Sequence, residues 1–256
     1  PVQYGIYADD IKLHAALPRH AKELQSTLDK ISEWANANNM TLSETKSVVS
    51  SFGTLEQRPG YYINGTKLSS ASNVKDLGIH ISHDLSFNYH IDKIDAKATK
   101  VMNMMFRAFK TRSTNVLVRC FMTYVRPILE YCTEVWNPTS IGLVNNIEAI
   151  QRSFTRRLFA RAGLPYLSYP ERLEFLGLVS LEHRRTVRDL AFLHNCVHGT
   201  ALLDTSSLFK VSPIRSLRMN NPFRISLPFL IRSSRSTFPS RFINVWNKLP
   251  LELINL

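Results

Sequence analysis

The sequence lacks several features that would place it in a well-known structural class. No apolar run approaches the ~18 residues that a membrane span needs, and no secretory signal pattern opens the chain. Cysteine is scarce: Cys120, Cys132 and Cys196 are odd in number and form no close pair, which fits a reducing compartment better than a disulfide framework. A glycine-rich phosphate loop and a Ser/His/Asp array are also missing. We therefore expect a globular intracellular protein without a membrane partner.

Acidic residues are unevenly distributed along the 256-residue chain. Residues 1–84 carry 8 Lys/Arg and 9 Asp/Glu, whereas residues 85–256 carry 24 and 11. Such a basic excess, interleaved with Phe and Trp, favours a nucleic acid partner over a merely solvated surface. A basic interaction protein with no nucleic acid partner is a further alternative. The segment 210–248 has no acidic residue and eight basic ones: Lys210, Arg215, Arg218, Arg224, Arg232, Arg235, Arg241 and Lys248.

The first third of the chain has a mixed pattern. Apolar residues at helical spacing predict an amphipathic helix over about 20–38. Asn64-Gly65 predicts a hairpin, because both residue types tolerate a positive φ. Strand-like segments at 40–43, 47–52 and 76–81 complete the pattern. We predict an α+β fold with a small antiparallel sheet packed against a helix.

Helical periodicity dominates from about residue 88. Apolar faces predict helices around 91–105, 116–128, 144–158 and 181–197, and Gly199 is placed to end the last of them. The final 55 residues have few helical periods and several prolines, and predict irregular structure with short strands. We therefore divide the chain into three parts, 1–84, 85–200 and 201–256.

Two adjacent carboxylates stand out near the start of the chain. Tyr7-Ala8-Asp9-Asp10 lies between short apolar segments, as expected for the tip of a hairpin. Mg²⁺ binds oxygen ligands, through one or two carboxylates plus substrate phosphates. We predict Asp9 as a ligand of Mg²⁺ (or Mn²⁺) and Asp10 as a more peripheral carboxylate. The alternative is an ordinary turn, in which Asp bonds its own backbone.

Several motifs together resemble the reverse transcriptase of non-LTR retrotransposons of the LINE, jockey and chicken-repeat type. The Tyr7–Asp10 box is similar to the metal-binding hairpin of the palm, 42–47 to the following Leu-Asn-x-x-Lys-Thr motif, and 74–79 to the strand that grips the primer end. Ser43, Ser47 and Asp76 depart from the usual residues. Over the rest of the chain, which the resemblance covers almost entirely, the recurrent strings are 129–138, 181–185, 238–242 and 246–250.

The resemblance implies a function and a role for each matched residue. It implies the C-terminal part of the palm over 1–84, a helical thumb over 85–200 and a basic post-thumb segment over 201–256. The parent would be an RNA-directed DNA polymerase that extends a DNA primer on an RNA template with deoxynucleoside triphosphates, in the cytoplasm and nucleus. Asp9, Asp10 and Lys46 would be catalytic, with Lys46 near the triphosphate. Tyr7, Leu77 and Gly78 would contact nucleic acid; Tyr7 and Lys46 are open to ordinary structural roles as well.

Arginines on the predicted helices are further candidates for phosphate contacts. Arg152, Arg156, Arg157 and Arg161 lie on one helix, where like charges repel unless a partner neutralises them. A similar but weaker group is Arg184, Arg185 and Arg188.

The sequence also predicts that this chain is incomplete as a polymerase. It begins within a strand and without methionine, and the palm aspartate that would bridge both metal ions is expected upstream. We expect the isolated chain to be inactive. A non-catalytic nucleic-acid-binding remnant of a decayed or domesticated element is the alternative.

Overall fold

The computed structural model describes residues 2–53, 59–201, 203–206, 208–211, 223–228 and 238–254. The chain divides into two compact units, unit 1 over 1–89 and unit 2 over 90–256. The predicted α+β class is confirmed. The three-part division and its palm, thumb and post-thumb assignment stay predictions. None of the helices in the described ranges combines the length and the apolar character that a membrane crossing requires.

Unit 1 contains one long helix and a set of short strand pairs. Its elements are β1 (Gln3–Tyr7), β2 (Asp10–His14), α1 (Ala21–Ala37), β3 (Val48–Val49), β4 (Tyr62–Ile63), β5 (Thr66–Lys67), β6 (Ser69–Ser70), β7 (Asn73–Asp76) and β8 (Ile79–Ser82). Pairs β1–β2, β4–β5 and β7–β8 are antiparallel hairpins, and β3 pairs with β6 in parallel. The antiparallel strands therefore form separate two-stranded ladders in this part of the described chain.

The loops of two hairpins in unit 1 are formed by residues with positive φ. Asn64 and Gly65 both have positive φ (49° and 79°), as the sequence predicts for a two-residue hairpin loop. The strand predicted over 76–81 is wrong in its middle: Leu77 and Gly78 have φ of 44° and 91° and form the loop between β7 and β8. The period-2 apolar pattern concealed a turn because a leucine occupies the position that Asn or Gly normally takes. Residues 40–43 form no strand either.

A small core joins α1 to β4 and β5. Tyr61, Ile63 and Leu68 are buried and pack against Leu24 and Leu28 of the helix. The side chain of Gln25 accepts a hydrogen bond from the amide of Tyr62 at 2.9 Å and donates one to its carbonyl oxygen at 2.9 Å. The helix predicted over 20–38 is thus confirmed as α1. The β4–β5 hairpin, which follows Lys46 in the sequence, packs against it.

Unit 2 is mainly helical. Its elements are α2 (Asn88–Ala108, whose first two residues belong to unit 1), α3 (Thr114–Cys120), a π-helical turn (Phe121–Val125), α4 (Arg126–Glu130), α5 (Thr133–Trp136), α6 (Ile141–Ala162), α7 (Tyr169–Phe175), α8 (Leu181–Val197), β9 (Lys210–Val211), β10 (Ile225–Ser226), α9 (Phe238–Trp246) and α10 (Leu251–Ile254). The helices predicted around 91–105, 144–158 and 181–197 are confirmed. Gly199, with φ of 70°, follows α8 as expected.

The helix predicted over 116–128 is divided into α3, the π-helical turn and α4. Pro127 has no amide hydrogen, and its ring crowds the preceding turn. A widened π turn directly before it accommodates that loss. Helix α9 is a second difference, because the sequence predicts no helix in the last 55 residues. Its apolar residues Phe242 and Trp246 are buried beside Leu193 and Cys196 of α8.

Candidate functional site

The Tyr7–Asp10 motif forms the tip of a hairpin, as predicted. Tyr7 pairs with Asp10, and Ala8 and Asp9 form the loop, with Ala8 at a φ of 54°. Both aspartates are exposed. A positive φ is uncommon for alanine and holds the loop in a sharp reversal. The carboxylates of Asp9 and Asp10 are therefore both accessible to solvent at the end of a short hairpin.

The donor set at this tip fits a magnesium ion only in part. Two exposed carboxylates can supply the protein ligands of Mg²⁺ when water or phosphate oxygens complete the coordination. Within the described ranges, no group of three or more His, Cys, Asp or Glu side chains is placed to hold a metal ion. Asp9 and Asp10 could thus hold one ion together with a phosphate-bearing ligand.

An ion pair connects the β1–β2 hairpin, which contains the Tyr7–Asp10 motif, to the β7–β8 hairpin. Lys12 lies two residues beyond Asp10 on β2, so the two side chains share a face. The Lys12 ammonium pairs with the carboxylate of Asp76 on β7. The loop of Leu77 and Gly78 immediately follows Asp76, and Leu77 is 42% exposed. The structure therefore brings the Tyr7–Asp10 hairpin and the 73–82 hairpin together.

The opposite face of the β1–β2 hairpin is apolar and open. Tyr4 and Ile6 are 72% and 64% exposed, and Trp34 of α1 is 57% exposed. The hairpin and α1 enclose an open apolar cavity of about 390 Å³, whose lining includes Tyr4, Ile6, Ile11, Leu13, Ile31 and Trp34. Soluble proteins rarely leave large apolar side chains clustered in solvent, so this face is suited to being covered.

Lys46 lies in a turn rather than on a strand. The Ser47 amide and hydroxyl both donate to the carbonyl oxygen of Ser43, at 3.0 and 2.8 Å, and close that turn. Lys46 is exposed. In the part of the chain that the structure describes, no hydrogen bond or ion pair joins it to Asp9 or Asp10. Its predicted role near a triphosphate stays a prediction.

The four arginines predicted on one helix do lie on α6, but their surroundings differ. Arg157 donates to Asn103 Oδ1 at 2.6 Å and lies 4.3 Å from the centre of the Phe106 ring. Arg161 donates to the carbonyl oxygen of Phe109 at 2.6 Å and lies against the same ring. These contacts anchor both guanidinium groups within unit 2.

The other two α6 arginines point away from that anchor. Arg152 lies over the Tyr169 ring at 5.2 Å, and Arg152 and Arg156 are both exposed. The contacts of Arg157 and Arg161 are with uncharged groups, so they hold the two side chains in place without neutralising the positive charge of α6. Their predicted nucleic acid contacts stay predictions.

The recurrent strings of the sequence meet in a buried polar network that the residue patterns alone do not predict. Glu130, 5% exposed, accepts from Arg184 Nε and Nη2 at 2.5 and 3.1 Å. Arg188 donates to the carbonyl oxygen of Glu130 at 2.9 Å and faces Glu134. The strings 129–138 and 181–185, about 50 residues apart, thus form one interface between α4, α5 and α8.

The centre of this network is fully buried. Arg185 Nε donates to Asn137 Oδ1 at 3.0 Å, and Asn137 Nδ2 donates to Asp189 Oδ2 at 2.6 Å. Arg241 of α9 donates to the carbonyl oxygen of Glu134 at 2.7 Å and lies 3.8 Å from Asp189. Arg185 is completely buried, so the phosphate role suggested for it is wrong. Arg185 and Asp189 lie four residues apart between the apolar residues Leu181 and Leu193. This spacing is the sequence signal from which their burial could have been predicted.

Burial shifts the acid–base properties of the network. Desolvation raises the pKa of Asp189 to about 6, although hydrogen bonding by Asn137 and the charge of Arg241 act in the opposite direction. Desolvation likewise raises the pKa of Asp95 on α2 to about 6, with the neighbouring charge of Asp92 adding to the effect. Burial lowers the pKa of Arg185, opposed by nearby carboxylates. In all three groups, desolvation by burial is the largest cause of the shift.

The basic segment predicted over 210–248 is only partly described. Arg215, Arg218, Arg232 and Arg235 lie outside the described residues. Arg241 is 3% exposed at its side chain and belongs to the network above. Trp246, whose Nε1 donates to the carbonyl oxygen of Phe223 at 2.9 Å, is buried.

Comparison with known proteins supports a relationship to retrotransposon reverse transcriptases. The chain is 28% identical over 173 residues to the RNA-directed DNA polymerase from mobile element jockey of Drosophila funebris, and 26% identical over 172 residues to the polymerase of the same name from Drosophila melanogaster. Each alignment covers 64% of this chain, less than the near-complete resemblance expected, and 18% of the relative.

A nematode protein is also similar. The uncharacterized protein B0403.1 of Caenorhabditis elegans is 29% identical over 128 residues, which cover 50% of this chain and 65% of that protein. The chain thus spans about two thirds of this relative and about a fifth of the two polymerases. No protein-family model matches the chain, and no solved structure matches it.

Proposed function

We propose that this chain is the C-terminal palm and thumb region of a non-LTR retrotransposon reverse transcriptase. The observation that carries the proposal is the exposed Asp9–Asp10 pair on a hairpin tip, in a chain related to the jockey polymerases. Unit 1 would supply part of the palm, and the helices of unit 2 would supply the thumb. The reaction of the parent would be attack of a primer 3′-hydroxyl on a deoxynucleoside triphosphate.

Each matched residue has a role in this proposal. Asp9 would hold Mg²⁺ (or Mn²⁺), and Asp10 would support it. The metal ions, when bound, would stabilise the charge that develops on the transferring phosphate. Lys46 would neutralise charge on the triphosphate from its exposed turn. Leu77 and Gly78, on the hairpin joined to β2 through Lys12 and Asp76, would lie beside the primer end.

The open apolar face of the β1–β2 hairpin supports a role within a larger assembly. Tyr4, Ile6 and Trp34 are exposed together, and among the described residues β1 and β2 pair only with each other. A further palm strand would pair with an edge of this hairpin and supply a third carboxylate. We therefore propose that the chain by itself does not extend primers.

The test is a chimera in which this chain replaces the matching region of the Drosophila funebris jockey polymerase. Asp9→Asn should reduce primer extension by about 10³-fold or more while leaving binding of an RNA–DNA hybrid within about twofold, because a ligand of the metal is lost without changing the fold. Asp29→Asn, an exposed carboxylate on α1, is the matched control and should keep extension. Full extension by the Asp9→Asn chimera would refute the metal role.

Mn²⁺ provides a second readout that needs no activity. In the isolated chain with a deoxynucleoside triphosphate, Mn²⁺ should broaden the NMR signals of residues 7–10 selectively, and Asp9→Asn should remove the effect. Broadening that persists in the variant would place the ion elsewhere.

The second candidate is a non-catalytic nucleic-acid-binding remnant of a decayed or domesticated element. The observation behind it is the basic excess of residues 85–256, which carry 24 Lys/Arg and 11 Asp/Glu. It predicts hybrid binding that is independent of Mg²⁺ and of Asp9, and a chimera that does not extend primers.

A further inference from the structure

Two histidines at the end of α8 meet at one backbone oxygen. His194 Nε2 donates to the carbonyl oxygen of Ile254 at 3.1 Å, and His198 Nε2 donates to the same oxygen at 2.8 Å. The centres of the two imidazole rings are 4.3 Å apart. Ile254 belongs to α10, at the other end of unit 2 in sequence. Folding therefore brings three atoms that can bind a metal ion to one place.

The helix itself sets the spacing of the two rings. His194 lies in the last turn of α8, and His198 is the residue that caps it. The His198 amide donates to the carbonyl oxygen of His194 at 3.0 Å, so the helical repeat continues through both residues. Side chains four positions apart on a helix are neighbours on one face. Backbone hydrogen bonds thus prearrange the pair.

The third atom is held by the core of unit 2. The side chain of Ile254 is fully buried in the apolar cluster that also contains Leu193 and Trp246. This packing fixes α10 and, with it, the carbonyl oxygen that both histidines contact. His194 is partly buried, whereas His198 is exposed. The ring nitrogens are therefore held in place and can still be reached from solvent.

The arrangement fits a divalent transition metal ion. Neutral imidazole is a common ligand of Zn²⁺, Ni²⁺ and Cu²⁺. Two ligands that bind one ion at about 2.0–2.1 Å and at right angles would be about 2.9 Å apart. The two nitrogen–oxygen distances, 3.1 and 2.8 Å, lie on either side of that value. We propose that His194, His198 and the Ile254 carbonyl oxygen bind such an ion, with water completing its coordination.

Binding exchanges hydrogen bonds for metal bonds without changing the charge of the rings. Both Nε2 atoms carry the hydrogen that they donate to the carbonyl oxygen. In the metal-bound state each Nε2 donates its lone pair to the ion, and the ring hydrogen moves to Nδ1, which gives the other neutral tautomer.

The donor set also indicates which kind of ion binds and how firmly. Cys196 lies between the two histidines in sequence but is 8% exposed and packs in the apolar cluster, so it is not a ligand. Within the described ranges no three His, Cys, Asp or Glu side chains are grouped to hold a metal. Permanent structural zinc normally has four protein ligands. Two imidazoles and one carbonyl oxygen suit an exchangeable ion.

A bound ion would join α8 to α10. Its ligands come from both elements, so the complete site exists only while α10 is packed against α8. An ion that binds only this arrangement stabilises it. The inference goes beyond the proposed function and does not depend on it.

The experiment is a calorimetric titration of the full, untagged chain with ZnCl₂ and, separately, with NiCl₂. One ion per chain should bind. His198→Gln and His194→Gln/His198→Gln should each weaken binding by about 10²-fold or more, because the chelate loses the effective concentration of its second ligand. His183→Gln, at an exposed position in the first turn of the same helix, is the matched control and should bind within about twofold.

Hydrogen exchange tests the connection to α10. At a Zn²⁺ concentration about ten times the dissociation constant, exchange of the amides of 251–254 should slow by about tenfold. The same Zn²⁺ concentration should leave His194→Gln/His198→Gln unaffected. An unchanged exchange rate in the starting chain would remove the Ile254 oxygen from the site.

A third readout needs no variant and so does not depend on how well a variant folds. Paramagnetic Cu²⁺, added in small amounts to the unchanged chain, should broaden the imidazole NMR signals of His194 and His198 first among the eight histidines. Broadening that begins at other histidines would overturn the proposal. So would an unchanged chain that binds neither Zn²⁺ nor Ni²⁺, or equal binding by the double variant.

One further variant separates this site from the site proposed for Mg²⁺. Carboxylates suit hard cations, whereas imidazoles suit transition metals. Asp9→Asn should therefore leave the affinity for Zn²⁺ within about twofold, because the two sites share no residue. A large loss of Zn²⁺ binding in Asp9→Asn would place the ion in unit 1 and overturn the inference. Failure of the jockey chimera to extend primers would remove the polymerase proposal and leave this one in place.

Discussion

Carboxylates occupy contrasting environments in the two units. In unit 1, Asp9 and Asp10 are exposed at a hairpin tip, where a ligand can reach their carboxylate oxygens. In unit 2, Glu130 and Asp189 are buried, and their oxygens accept hydrogen bonds from Arg184 and Asn137. The same functional group thus serves as a candidate ligand in one unit and as a structural acceptor in the other. Solvent exposure and pre-existing partners, rather than residue type, distinguish the two.

The basic residues of unit 2 likewise fall into two groups, those that bind other parts of the chain and those that are exposed. Arg184, Arg185 and Arg241 join elements that are distant in sequence, whereas Lys97 and Lys100 have no intramolecular partner within the described residues. A count of positive charges, which treats all of them as one basic surface, therefore overestimates the area available to a polyanion.

Removing a buried carboxylate should have the largest effect on stability. Asp189→Ala removes the carboxylate that forms an ion pair with the buried Arg241 and accepts a hydrogen bond from the amide of Asn137. Breaking a buried charged pair costs about 3–5 kcal/mol. We expect that loss in the free energy of unfolding, measured by urea denaturation. Asp9→Ala and the exposed Glu174→Ala should each change it by less than about 0.5 kcal/mol. A loss of similar size in Asp9→Ala would remove the contrast between the units.

The pH dependence of stability should reveal the same burial. The folded pKa of Asp189 is about 6, above the unfolded value of 3.8. Between these values the unfolded state has already released the proton that the folded state retains, so this group lowers stability as pH rises from about 4 to about 6. The shift corresponds to about 3 kcal/mol.

Asp189→Asn removes that titration and provides the measurement. The difference in unfolding free energy between Asp189→Asn and the unchanged chain should move in favour of the variant by about 3 kcal/mol between pH 4 and pH 7. A flat difference would mean that Asp189 is not desolvated.

A conservative change should distinguish the bidentate arginine from an exposed one. Arg184→Lys retains the charge but cannot donate two hydrogen bonds to Glu130, so we expect a loss of about 1–1.5 kcal/mol. Arg156→Lys, on the exposed side of α6, should cost less than about 0.5 kcal/mol. Equal losses at both positions would show that the two-point geometry of the Arg184–Glu130 pair contributes nothing.

The smallest expected effect concerns the two hairpin turns of unit 1. Leu77 and Asn64 occupy the same loop position at φ of 44° and 49°, and asparagine tolerates this region better than leucine. Leu77→Asn should raise the unfolding free energy by about 0.5–1 kcal/mol. Asn64→Leu should lower it by more, because the Asn64 side chain also accepts from Ser32 at 2.8 Å. A destabilising Leu77→Asn would indicate that the leucine side chain contributes more than the turn strain.

The sequence predicts the long helices and the site hairpin well. Helix α1, α8 and the reversal at Tyr7–Asp10 depend on local signals: apolar spacing, a terminal glycine and an apolar–Asp–apolar pattern. It fails at Leu77, where an unusual residue occupies a turn, and at α9, whose helix packs its apolar face on α8. At Leu77 an apolar residue conceals the turn, whereas α9 is stabilised by contacts with α8, far from it in sequence.

The amino-acid sequence by itself determined the α+β class, the order of helices and the adjacency of two carboxylates at a turn, because each of these depends on residues within a few positions of one another. The tertiary structure alone decided which charged side chains are buried and which are exposed. Arg185 and Asp189 are buried, and Lys97 and Lys100 are exposed and unpaired among the described residues, since only folding determines which side of each helix other elements cover. Burial and pairing are properties of distant contacts, and no local pattern of charge encodes them.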